Sequence, residues 1–268
     1  MDARMAGPGW GSMWNQRFGA GLGAFLASVG GSRWYLAGVL LIWAVPAAAQ
    51  NATWSATPGS ADFNTDANWT PATAPGSLTG TGTASFGMSS ITSLSLSTNT
   101  QLGGFTFNPG ALAYSFSNSV TLSFTGAGIV IDGGSVAFSN NAGGSLQFSD
   151  SSTAGSAVII NNANNGHGLN FTDTSTAGNA VITNSGTATF QGAATAGNAT
   201  ITNTGAGLLH FFNTGTAGNA AITNSNAGIV DFSSSRGPNN DHRLSAGSIA
   251  GGGNFYLGAD SLPSAATI

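Results

Sequence analysis

One pattern is written four times between Phe148 and Phe232: Phe, four residues, Thr-Ala-Gly, Asn or Ser, Ala, any residue, Ile, any residue, Asn. The copies begin at Phe148, Phe171, Phe190 and Phe211, and a fifth Phe, Phe232, stands where the next would start. The triplets begin at Thr153, Thr176, Thr195 and Thr216, and the copies close on Asn161, Asn184, Asn203 and Asn224. Spacing inside each copy is fixed, and all variation in length falls between the Asn and the next Phe. Self-similarity with a period of about 20 residues marks a solenoid whose coils stack on one another.

A coil this short has room for brief strands but hardly for paired helices. In Ala180-Val181-Ile182-Thr183-Asn184 the constant residues alternate, which places Ala180, Ile182 and Asn184 on one face of a strand and leaves the other face free to vary. The segments ending at each Phe alternate likewise. Leu146, Leu169, Ala188, Leu209 and Val230 share a face with the Phe column, opposite Gln147, Asn170, Thr189, His210 and Asp231. The fold class that follows is all-β, a parallel β-helix with an apolar column inside and a changeable polar column outside. Stacked at about 4.8 Å, each inward Phe rests on its equivalent, and a column of Asn amides pairs each with the next. Gly155, Gly178, Gly197 and Gly218 mark the corners.

Residues 1–49 stand outside this pattern. Arg4, Arg17 and Arg33 precede an apolar run from Leu36 to Val45, and Ala47-Ala48-Ala49 supplies small residues before Gln50, the form of a secretory signal peptide. The leader is long, with Met5 and Met13 as alternative starts. The expected organisation is therefore a signal peptide over 1–49, a capping region over 50–107 and a solenoid over 108–268, with the repeats at 148–232. Cysteine, lysine and glutamate are absent. After Ala49 the charges are two Arg and eight Asp, a net of −6, which leaves no cationic footprint for nucleic acid.

Chemistry is sparse. His167 lies in the extra residues of the longest repeat, and His210 fills an outward slot that is Gln, Asn, Thr or Asp in other coils. Arg236, Asp241, His242 and Arg243 gather in one segment where the repeat breaks down, a candidate ligand loop weighed against a plain polar insertion. No serine-nucleophile setting, metal-ligand spacing or cofactor motif is present. Asp150 and Asp173 occupy equivalent positions two residues after a Phe, as turn residues do. Trp54 and Trp69 suit a plug over the first coil, or else an exposed sugar platform. Thr183, Thr202 and Thr223 form an outward hydroxyl column, which can face a polymer or ice or simply reflect β propensity.

The segments Trp54-Ser-Ala-Thr-Pro58, Asp62-Phe-Asn-Thr65, Asn68-Trp-Thr-Pro71 and Ala84-Ser-Phe-Gly87 resemble the start of the passenger region in large, repeat-rich bacterial autotransporters. Leu102-Gly-Gly-Phe-Thr-Phe-Asn-Pro109, Tyr114 and Leu122-Ser-Phe-Thr-Gly-Ala-Gly-Ile129 continue it. The resemblance implies an exported β-helix on the cell surface or outer membrane, or secreted. It also implies a host-surface, matrix or glycan ligand and an outer-membrane β-barrel translocator, for which nothing after Phe232 has the alternating pattern. An uncapped last coil would favour self-association through its open end. The expected function is a non-catalytic structural and adhesive stalk; the alternative is a secreted parallel β-helix enzyme acting on polysaccharide.

Overall fold

The structure is a computed structural model that describes residues 50–76, 80–164, 167–225 and 227–258. The expected signal peptide lies outside these residues, as does the end of the chain from 259 onward.

From Thr83–Phe86 onward successive strands alternate between two sheets, so each coil gives one strand to each. The Phe sheet has eleven strands and the Asn sheet eight. All pairing is parallel except where Trp69–Thr70 runs antiparallel to Ala52–Trp54. Together they form a parallel β-solenoid of about eight turns with coils of roughly 22 residues. Register follows the repeat: Phe148 pairs with Phe171, Phe190 with Phe211, and Asn161 with Asn184, then Asn184 with Asn203 and Asn203 with Asn224. A narrow third ladder of single bridges joins Thr153, Thr176, Thr195 and Thr216 at the corner between the sheets.

The corner explains the triplet. Each Thr hydroxyl accepts a hydrogen bond from the Gly N–H two residues on, at 3.0–3.2 Å, while the Ala between them is buried in the core. The Gly adopts φ near +61°, where a Cβ is disfavoured. A second left-handed position lies two residues after each Phe. It is held by Asp150, Asp173, Gly192 and Asn213, residue types that tolerate this conformation. The expectation of turn residues there is met.

Inside, the rings of Phe148, Phe171, Phe190, Phe211 and Phe232 stack with centroids 4.6–5.1 Å apart and planes within 13°. The strand spacing dictates this distance, and it falls within the range of offset stacking. Across from the rings lie Ile159, Ile182, Ile201 and Ile222, all buried. Burial of each such side chain contributes about 1.5–3 kcal/mol.

Parallel pairing reaches further back than the repeat. Thr83–Phe86 already pairs with Gly104–Phe107, within the stretch expected as a cap, and Ser93–Ser95 opens the Asn sheet. The covering element proper is the segment before it. Trp54, Phe63 and Trp69 pack edge-on at 4.9–5.1 Å, and Phe63 stacks on Phe105. Both indoles are 2% exposed, and their N–H groups donate to the carbonyls of Ile91 and Phe63. They form the plug, and the sugar-platform alternative fails because neither ring reaches the surface.

Candidate functional site

The Asn column is the most ordered polar feature of the molecule. Asn161, Asn184, Asn203 and Asn224 are fully buried, and each of the first three donates its side-chain N–H to the amide oxygen of the next at 2.7–2.9 Å, while Asn224 donates to the carbonyls of Gly228 and Asn254. The column is longer than the repeat, because Asn118 donates to Asn140 and Asn140 to Asn161, both at 2.8 Å. Spare donors bond backbone carbonyls of the following turn, such as Gly207 and Ile229 from Asn203. This arrangement holds the turn between the two sheets in one conformation and leaves no amide for a ligand.

The four loop candidates share one exposed segment. Arg236, Asp241, His242 and Arg243 are all exposed, in a connection between the sheets that is longer than its equivalents in earlier coils. Their contacts are turn contacts: the Asp241 carboxylate accepts from the Arg243 N–H at 3.0 Å, and the His242 N–H donates to the Arg236 carbonyl at 2.7 Å. His242 has φ +60°. Among the described residues no three His, Cys, Asp or Glu side chains are placed to hold a metal ion.

His210 takes its expected outward slot and lies 3.4 Å from the Asp231 carboxylate on the next rung, without hydrogen-bond alignment. Its ring packs against Phe212, centroids 3.5 Å apart. Burial lowers its pKa, and the Asp231 charge opposes that only in part. Asp150 and Asp173 are coupled by structure: the Asp173 carboxylate accepts the Asp150 N–H at 3.1 Å.

The two outer faces differ in character. That of the Asn sheet mixes Ser and Thr with Ala137 and Ala221, and Val158, Ile160 and Val181 are 42–47% exposed there. The expected Thr183, Thr202 and Thr223 column lies on this face in register, beside these apolar residues.

On the Phe sheet the outward column runs through Gln101, Ser123, Gln147, Asn170, Thr189, His210, Asp231 and Tyr256 in direct register. Every member can hydrogen bond. Neighbouring rungs are tied by Ser123 Oγ donating to Gln147 Oε1 at 3.1 Å and Thr189 Oγ1 to Asn170 Oδ1 at 2.8 Å, while Gln147 Nε2 donates along its own strand to Ser145 Oγ at 3.0 Å.

The first rungs of this column open into a cavity of about 650 Å³. Asn64, Asp66, Thr73 to Gly76, Gln101 and the largely buried Ser123 are among the residues that line it. Its walls are braced, since Asp66 accepts the Ala74 N–H at 2.8 Å and Asn64 Nδ2 donates to Thr100 Oγ1 at the same distance. Sequence reasoning missed this cavity because its residues come from the plug and from two coils without the repeat. The apolar-x-Asn endings at Phe116-Ser-Asn118 and Phe138-Ser-Asn140 are the signal that would have placed those coils.

A scan against protein-family models, a search of curated proteins and a search of solved structures each found no match to this chain.

Proposed function

We propose that the protein is an exported structural and adhesive β-solenoid, the stalk of an autotransporter-like surface protein, whose role is mechanical rather than catalytic. The observation that carries the reading is the pair of axial ladders, stacked Phe rings on one side of the core and paired Asn amides on the other. Both run coil to coil with the same geometry, so each coil is held by its neighbours, without disulfides. A fold of this kind completes itself outside the cell by adding one coil to the last.

The outward slots change residue from rung to rung on a regular lattice and carry few charges, which suits presentation of a surface more than a single reacting centre. The test has two parts. A tagged full-length chain in its bacterial host should be cleaved by protease added to intact cells; protection until the cells are broken would overturn the reading. Replacing Asp150, Asp173 and Asp231 together by Asn should leave surface binding intact, and loss of a glycan-cleaving activity on that change would favour an enzyme instead.

A further inference from the structure

We propose that the outer face of the Phe sheet, from the cavity at Gln101 and Ser123 along Gln147, Asn170 and Thr189, binds a neutral polysaccharide lying along the solenoid axis. The proposal rests on the adhesive reading above and names its ligand class.

Three observations carry it. The first is the contrast between faces that share the same β geometry. The Asn sheet exposes Val158, Ile160 and Val181, so bare strand propensity is content with aliphatic residues on an outer face. The Phe-sheet column is hydrogen-bonding at every rung from Gln101 to Thr189. Beside the column apolar residues enter at Leu208 and Ile229, and at Val130 farther along the strand through Ser123.

The second is charge. No charged side chain stands on the five strand segments themselves; carboxylates lie beside them, Asp66 in the cavity wall, Asp132 after the strand through Ser123, and Asp150 and Asp173 in the turns after Phe148 and Phe171, so a polyanion finds no counter-charge. An uncharged amide offers two N–H donors and two lone-pair directions. Asn170 spends one acceptor position on Thr189 and directs an N–H at Ser145 Oγ, 3.4 Å away, which leaves capacity of both kinds. Hydroxyl groups, which donate and accept, match such a mixed set. An extended peptide does not, because the backbone groups of this face are already used within the parallel ladder and strand addition needs a free edge.

The third is geometry. The cavity of about 650 Å³ has the size of a small-ligand site, and its braced walls limit ordering on binding. The column continues from the cavity in direct register at about 4.8 Å per rung, close to the length of one pyranose ring. A chain seated by its end in the cavity meets one side chain per sugar along the sheet.

Native gel electrophoresis of the full chain through hydroxyethylcellulose, dextran or soluble starch tests this, with heparin as the charged comparison. At least one neutral polymer should retard the protein. Asn170→Arg and the milder Asn170→Ala should each weaken that retardation, Arg by tenfold or more, while Thr202→Arg on the other face changes it less than twofold; circular dichroism checks that each variant is folded. The proposal is overturned by a folded wild type that no neutral polymer retards, by heparin binding alone, or by equal effects of Asn170→Arg and Thr202→Arg. None of those outcomes touches the protease test of surface exposure, so the two readings fail separately.

Discussion

At the scale of single residues, the Asn column shows how a buried polar group is tolerated. Asn203 accepts from Asn184 and donates to Asn224, Gly207 and Ile229, so its replacement strands partners above and below. Asn203→Leu should therefore destabilise by about 1–3 kcal/mol for each group left unpaired, read as a lower denaturation midpoint. An unchanged midpoint would mean that water reaches the column. The buried hydroxyls of Ser152 and Ser175 have no partner, and the equivalent slot in the next coil is Ala194. Ser175→Ala should be neutral or stabilising in the same measurement, since it removes an unsatisfied group without leaving another. His210 adds a pH dependence of definite sign. Its folded pKa is depressed by burial, so folding favours the neutral ring, and the stabilisation present above the unfolded value near 6.5 is lost as pH falls toward the folded value. Wild type should lose melting temperature between pH 7.5 and 5, and His210→Gln should lose less; equal losses would place the titration elsewhere. The inward Phe, Ile and Asn positions were legible because alternation has a period of two and every copy agrees. The coupling of His210 to Phe212 was not, because it depends on two side chains turning to the same outer face.

At the scale of the element, the Thr-Ala-Gly corner carries three requirements in three letters: a hydroxyl that closes a turn, a methyl that fills the core and a left-handed residue. Gly197 meets the last at φ +62°, and a Cβ there would lie 2.9 Å from the Gly178 carbonyl and the Thr176 hydroxyl. Gly197→Ala should cost about 1–2 kcal/mol from backbone conformation alone, with the contact adding to it. A thermal midpoint unchanged by that substitution would show that the corner relaxes. The contrast with Gly192 is informative, since Asp150, Asp173 and Asn213 fill its slot in other coils, so Gly192→Asn should be tolerated. The corners were legible as glycines at constant spacing. The earlier coils were not, because their Asn-sheet strands carry Phe116 and Phe138 two residues before the Asn, where later ones carry Ile, and their corners use other glycines. A repeat detected by identical letters stops where the letters change, although register and core continue through the same pattern of burial.

At the scale of the whole molecule, the stack behaves as a line of neighbours rather than as one indivisible core. Removing Phe190 to His210 joins Thr189 to Phe211, a junction that preserves the alternation of the Phe-sheet strand. It also brings Phe171 beneath Phe211 and Asn184 beside Asn224, the same pairs of residue types that the intact chain makes. Such a chain should keep its β-sheet circular dichroism and one cooperative unfolding transition, with the rod shorter by about 4.8 Å. Removing Gln191 to Thr200 instead takes away a corner but leaves the following strand to enter the wrong sheet, so Phe211 would seek the place of an Ile. That variant should lose cooperative unfolding, although it deletes fewer residues. The comparison separates two accounts of stability: if coils are independent units, the longer deletion is the milder one; if the core is a single cooperative whole, both should fail, and the neighbour-by-neighbour account of the stack falls with them.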